Sequence, residues 1–444
     1  MTQTVTRREA FCEGQTLPAA QDIVARLLAY CQANDWAGYD PYDALNSRWF
    51  SSLPFLNFRL SRLALTQALK RSPVNFRSLL RVPPTQNPKG LALVLAALLK
   101  LRKLALLSDE SLLQELIAQI VASRSPDTRY WSWGYSFPWQ TRTILVPRGA
   151  PNLVCTIFAA NALLDAFEAL GDTKLLELAV SSGDYLVNEL YYTEGAEVAS
   201  FSYPLPTSKA KVHNANFLAA ALLSRLYLHT RNERLGQIAL QSASYSASRQ
   251  RDDGSWPYGE LANQGWVDNF HTGYNLTSLR AITQNLCTSE FEPHIRRGFE
   301  FYRNHFFRED GAVRYFHNRT YPIDIHCVAQ SLLTLIEFQD LDGTNCELAK
   351  LVYAWTMKHM WDERGFFYYR VLRMITIHIS YMRWSQCWML LALTRLWEMS
   401  ERKEGLVSAS FGIPTGSEVK IVGRRVVSQT ESKERRKVRI SRTR

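Results

Sequence analysis

The sequence carries none of the short signatures that usually announce a chemistry. It has no Walker loop, no GxGxxG and no GxSxG, so a phosphate cradle, a dinucleotide fingerprint and a serine-hydrolase elbow all lack their motif. It has no DDxxD or DxDD string to carry a prenyl or terpene-type cyclase. Cysteine is sparse: seven residues, at 12, 31, 155, 287, 327, 346 and 387, with no CxxC pair. An odd, scattered set argues for reduced thiols and a cytoplasmic protein. The opening residues, MTQTVTRREAFCEG, lack the apolar core of a signal peptide. No run of about 18 uncharged apolar residues occurs, so no membrane span is expected. The most apolar stretch, 91–106, is interrupted by Lys100, Arg102 and Lys103 and reads as a buried helix.

Acidic residues are short of basic ones, giving a formal charge of +11. Much of that excess sits at one end. Residues 401–444 hold twelve Lys/Arg against five Glu, a net +7, leaving +4 for the first 400. The imbalance is therefore weak evidence for a polyanion, and no specific nucleic-acid partner is expected. Residues 405–444 have no sustained period and read as a basic disordered tail, 1–18 as a flexible N-terminus, and 19–404 as one domain.

What is present is a repeat. An aromatic turn, a loop, an apolar helix and a more amphipathic helix recur along the chain. The turns are YWSWGYSFPW (130–139), FSYP (201–204), GSWPY (254–258), GAVRY (311–315) and GFFYY (365–369). Helix starts follow near 152, 213, 269, 324 and 383. Within each pair the first helix is apolar nearly all round, as in FLAAALLSRLY (217–227), and the second has one polar face. Inner apolar helices with outer amphipathic ones predict an all-α fold, an (α/α)6-type toroid of hairpins with short β pairs at the turns. Helices are also predicted over 21–34, 56–70, 75–82, 90–107 and 109–123. In such a ring the inner helices run the same way, so the loops before them converge on one mouth.

The residues at that mouth are those a sugar pocket needs. Pyranose faces stack on aromatic rings, and carboxylates and imidazoles bind hydroxyls or move protons. Around the third turn lie Trp256, Tyr258, Glu260, Trp266, Asp268, His271 and Tyr274. His213, Asn214 and Asn216 open the preceding helix, Tyr321, Asp324 and His326 the following one, and Arg383, Trp384 and Gln386 the last. Trp133 and Trp139 in the first turn are further stacking candidates, and Arg142, Arg148 and Asn152 follow them. Helix starts favour Asp and Asn as caps, so Asn269, Asp268 and Asp324 also have a purely structural reading. Asp268 and His271 are spaced i,i+3 and share a face, whereas Asp324 and His326 do not.

Two chemistries fit these residues. Asp268 and Asp324, with Glu260 in reserve, supply the carboxyl pair of a glycoside hydrolase. His213, His271, Tyr274 and Tyr321, with Arg142 or Arg383 clamping an acid group, supply the proton shuttle of a uronate lyase or epimerase. The set His213, His271, His326 and Asp324 lacks tight ligand spacing, so neither a metal nor another cofactor is expected. A non-catalytic sugar-binding or scaffold subunit is the alternative.

Five segments resemble a known family: VHNANFLAAALLSRLY (212–227), DDGSWPYGE (252–260), GWVDNFHTGYNL (265–276), YPIDIHCVAQSL (321–332) and YMRWSQCWMLLAL (381–393). They are similar to proteins encoded in polysaccharide-biosynthesis clusters, named polysaccharide biosynthesis proteins or delta-aminolevulinic acid dehydratases. The resemblance covers about residues 125–400. It implies a fold of the six-hairpin glycosidase type, an oligo- or polysaccharide substrate and polysaccharide-synthesis proteins as partners. The dehydratase label finds no Schiff-base lysine context, cysteine-rich zinc stretch or alternating βα pattern in these residues.

Overall fold

The computed structural model describes residues 19–411 except 108, 127 and 196. In chain order the helices are α1 (Ala20–Ala33), the single turn α2 (Arg48–Ser51), α3 (Arg59–Arg71), α4 (Pro88–Lys103), α5 (Ser111–Ala122), α6 (Leu153–Leu170), α7 (Thr173–Tyr185), α8 (His213–Thr230), α9 (Glu233–Ala247), α10 (Asn269–Asn285), α11 (Glu292–Phe306), α12 (Ile325–Glu337), α13 (Asn345–Met360) and α14 (Cys387–Phe411). Helices α4, α6, α8, α10, α12 and α14 each touch the next, and α14 touches α4, so six inner helices close a ring. Their outer partners are α5, α7, α9, α11, α13 and, for α14, the N-terminal α1. The expected (α/α)6 toroid is what forms, and the chain's two ends meet in one hairpin.

The sequence explains the two layers. Inner α8, HNANFLAAALLSRLYLHT, is buried on nearly every side by its neighbours and its own outer partner. Outer α11 buries Ile295, Gly298, Phe299, Tyr302 and Phe306 on one stripe and leaves its arginines outside. Helix α6 is long and apolar enough to cross a bilayer, but 61% of it is buried inside the ring.

The repeated turns lock each hairpin to the next. Gly254 and Gly311 have φ of +88° and +87°, and a Cβ on either would collide with a backbone carbonyl, Arg297 of α11 or Leu351 of α13. Gly365, φ +95°, presses in the same way on Arg26 of α1, which seals the ring. Only glycine tolerates both that φ and that approach. The strands are short pairs in these loops: β1 (Trp139–Gln140) with β2 (Leu145–Val146), β3 (Tyr191–Glu194) with β4 (Val198–Phe201), β6 (Trp361–Asp362) with β7 (Phe366–Phe367), and β5 (Ile323–Asp324), β8 (Arg370–Val371) and β9 (Thr376–Ile377) in one three-stranded sheet.

Two expectations change. Residues 75–82 form turns, not a helix. Arg77 is drawn into the body, where its Nε meets Asp43 at 2.7 Å and its Nη2 donates to the Asp40 carbonyl, and the chain reverses there with Arg81 at φ +51°. At the other end α14 continues to Phe411, past the expected boundary at 404. The flexible N-terminus (1–18) and the tail beyond 411 lie outside the described residues.

Candidate active site

Every inner helix begins at the same end of the ring, and that end holds a cavity of about 580 Å³. Its lining comes from the helix starts and the loops before them: Lys89 of α4, Asn214 of α8, Asp268, Phe270, His271 and Tyr274 of α10, His326 of α12, and Arg383 and Trp384 ahead of α14. Loop residues Tyr42, Tyr135, Trp139, Tyr203, Tyr258, Trp266 and Tyr315 add aromatic walls.

The wettest reactive group is His271. Asp268 caps α10 by accepting the His271 backbone N–H at 3.0 Å on Oδ1. Its Oδ2 meets His271 Nδ1 at 2.7 Å and accepts the Trp266 indole N–H at 3.1 Å. A carboxylate on Nδ1 fixes the ring and leaves Nε2 as the free base. The His271 side chain is 21% exposed and Asp268 only 1%, so the imidazole, not the acid, faces the cavity. Trp266 is stacked flat on Tyr258, ring centres 4.6 Å apart, beside it.

One turn further along α10, the Tyr274 hydroxyl lies 2.8 Å from His326 Nε2. His326 is clamped between Phe270 and Trp388, both 4.6 Å away by ring centres. Burial, then the charges of Lys89, Arg383 and His271, hold the His326 pKa well below its usual value, so this ring is neutral. Burial likewise raises the Tyr274 pKa, so it keeps its proton. His271 and Tyr274 ring centres are 6.2 Å apart: a wet base next to a dry hydroxyl with an imidazole behind it.

Electrostatically the lining is one-sided. Lys70, Arg71, Lys89, Arg142, Arg319 and Arg383 contribute six basic side chains, and Asp268 is the sole carboxylate among the lining residues. Arg383 is held by Asp40 through Nε and Nη2, which leaves Nη1 outside that pair. Lys89 is buried, with its Nζ 3.9 Å from the Phe158 ring centre and no carboxylate in ion-pair range among the described residues. Burial first, and Arg383 second, press its pKa well down. The charged form of a lysine so placed is favoured by an anion that enters the cavity.

Several expected site residues lie elsewhere. Asp324 is fully buried, caps α12 through the His326 N–H, pairs with Arg370 and accepts the Trp384 indole N–H. It does not line the cavity, so the two-carboxylate arrangement is not built. Trp133 and Trp256 are core residues whose indole N–H groups donate to the carbonyls of Ile120 and Ser246, near the ends of α5 and α9. Asn216 is buried and donates to the Ala199 and Ser242 carbonyls. His213 is buried on Ser246, and burial lowers its pKa to about 4. Glu260 accepts from Tyr245 and pairs with Arg249 outside the cavity. Tyr321 is exposed but not part of the lining. Asn269 is no cap, and its side chain meets Ser331 and Tyr302 instead. Gln386 bridges Phe367 through both amide ends, while Asn152 caps α6 by accepting the Cys155 N–H. Tyr258, Trp266, Asp268, His271, Tyr274, His326, Arg383, Trp384, Trp139, Asn214 and Arg142 do meet in the one cavity. Sequence reasoning missed Lys89, although its place at the start of the first inner helix, after the Asn87–Pro88 signal, put it within reach. Among the described residues no group of three or more His, Cys, Asp or Glu is arranged to hold a metal ion.

Comparison with solved structures supports the architecture. Cellobiose 2-epimerase from Spirochaeta thermophila DSM 6192 aligns at TM-score 0.52 and 15% identity, over 71% of this chain and 87% of that one. A GH76 α-mannanase from Bacteroides thetaiotaomicron aligns at 0.54 and 12%, over 71% and 86%. A polysaccharide lyase aligns at 0.54 and 10%, over 86% and 97%. Identities this low show the shared fold alone. No family model and no curated protein matches the sequence.

Proposed function

We propose that the protein is a carbohydrate-active enzyme that moves the proton beside the carboxylate of a uronic-acid residue, as a lyase or an epimerase. The observation that carries this reading is the Asp268–His271 pair opening onto a cavity lined by six basic side chains and no other carboxylate. Hydrolysis needs two working carboxyl groups. Here one is occupied in orienting His271 and the other expected one, Asp324, is sealed in a cap. Proton abstraction needs a base, a charge sink and an acid. His271 Nε2 takes the C5 proton, Arg383 and Lys89 hold the carboxylate that spreads the resulting charge, and Tyr274 delivers a proton from its hydroxyl. In elimination that proton goes to O4 as the C4–O4 bond breaks and a C4=C5 double bond forms. In epimerisation it goes to the opposite face of C5. The aromatic walls stack the sugar rings. The names of the fold neighbours include an epimerase and a polysaccharide lyase beside an α-mannanase and a glucuronyl hydrolase, so the fold accommodates this class of reaction without selecting it. A cytoplasmic place in polysaccharide biosynthesis, alongside other synthesis proteins, belongs to the same proposal and rests on the resemblance of five segments.

The test is incubation with uronate-containing oligosaccharides in D2O, read by NMR. An unsaturated product marks a lyase, and deuterium at C5 without cleavage marks an epimerase. New reducing ends with neither signal would return the protein to the hydrolases. Saturable binding with no turnover, unchanged by His271→Gln, would make it a binding subunit.

A further inference from the structure

Between Asp43 and Asp109 the chain has eleven Lys/Arg and not one Asp or Glu. Since the first 400 residues net +4, everything else within them sums to −7. The basic excess of the folded domain is therefore confined to one segment. That segment also carries most of the protruding apolar surface. Phe55 and Leu79 are 72% exposed, Leu60 63%, and Trp49, Phe58 and Phe76 between 42% and 52%. Arg48, Arg59, Arg71 and Arg81 stand exposed among them, Arg81 with its guanidinium 5.2 Å from the Trp49 ring. Helix α3 is barely embedded, with only Thr66 and Leu69 buried among its thirteen residues.

The location gives this patch its meaning. Residues 44–87, with seven of the eleven Lys/Arg, join outer α1 to inner α4 and so lie at the mouth end of the ring, while Lys100, Arg102 and Lys103 sit at the far end of α4. Leu145, Leu261, Tyr321, Met374 and Ile375 lie in the other outer-to-inner connections, at that same end. Of thirteen exposed large apolar residues among the described ones, only Leu228 lies elsewhere. Lys70 and Arg71, at the end of α3, also line the cavity.

We infer that this face docks on an anionic lipid bilayer, with the cavity mouth turned toward the membrane surface. Apolar tips entering the headgroup region, surrounded by arginines in a stretch, 44–87, that has no carboxylate of its own, are the chemistry of interfacial binding. Exposed apolar residues gathered at one end of the molecule mark an interaction site. A second copy of the chain, with 44–87 packed on its own counterpart, is disfavoured as occupant, because that contact would bring like charges together. Lys70 and Arg71 belong to both the surface and the cavity, but the apolar tips Phe55 and Leu79 do not line the cavity, so either reading survives the failure of the other.

The test is co-sedimentation of the full chain with vesicles of phosphatidylcholine alone and with added phosphatidylglycerol. Wild type is expected to pellet with the anionic vesicles and stay in solution with the neutral ones. Phe55→Glu combined with Leu79→Glu should weaken that binding at least tenfold and leave turnover of a soluble oligosaccharide unchanged. The full chain with Lys433, Arg435, Arg436 and Lys437 changed to Gln should still pellet. Equal binding by the double variant, or complete loss in the tail variant, would overturn the proposal. So would sedimentation velocity showing a vesicle-free dimer that the double variant abolishes, since the patch would then be a self-contact.

Discussion

Helices α10 and α12 begin alike and end up doing different things. Each opens with an aspartate cap followed within one turn by a histidine, in equivalent positions of consecutive hairpins. At α10 the histidine is three residues on, and Asp268 serves its backbone and its ring together. At α12 it is two residues on. One residue rotates a side chain by about 100°, so His326 swings away into the Phe270–Trp388 sandwich while Asp324 turns to Arg370. One start yields an oriented base in contact with water, the other a dry imidazole and a sealed ion pair. The lesson is that a repeat conserves where a residue type sits, and the spacing within the first turn decides what it can do.

The largest effect should come from the wet start. His271→Gln is expected to lower turnover of a uronate substrate by about 10²–10⁴-fold, the range of a positioned acid–base group, with glycan affinity little changed. Tyr274→Phe should fall in the same range. Comparing kcat with Kd from calorimetry checks both. Equal kcat in His271→Gln and wild type would show that α10 is as inert as α12.

Exchanging the two caps for asparagine separates them next. Asn caps a helix as well as Asp does, so Asp268→Asn should keep its urea midpoint and lose turnover, because the His271 ring is no longer held in one tautomer. Asp324→Asn removes one member of a buried ion pair, which costs about 3 kcal/mol or more, so its urea midpoint should drop. If Asp268→Asn proves the less stable of the two, the assignment of roles is reversed.

The toroid was legible because its signals are redundant. Helix starts recur every 55–61 residues, inner helices such as 217–227 are apolar all round, and a single misjudged segment such as 75–82 leaves the ring intact. The site was legible only where local spacing fixes geometry, as for Asp268, His271 and Tyr274. Trp133 and Trp256 sit beside glycine and proline like stacking residues, yet each turns inward because the end of an outer helix offers its indole a free carbonyl. Lys89 reads as an ordinary polar residue opening an apolar helix. Its burial follows from the ring closing over it, through Phe158 and Trp388 far along the chain, and no local pattern encodes that.

The third helix start, α8, extends the comparison and gives the smallest effect. It has no side-chain cap, and the His213 backbone N–H donates instead to the Tyr258 carbonyl at 3.1 Å. The His213 ring is buried on Ser246, and burial lowers its pKa to about 4. In the unfolded chain the same ring takes up a proton near pH 6.5. Between those values the unfolded state binds the extra proton, so stability is full above 6.5 and falls as the pH drops toward 4. At pH 5.5 the loss from this one residue is about 1.4 kcal/mol. His213→Gln should flatten that part of the profile relative to wild type, measured as urea midpoints from pH 7.5 to 4.5. Parallel profiles for wild type and His213→Gln would mean that His213 is solvated, and α8 would then belong with the wet start rather than the dry one.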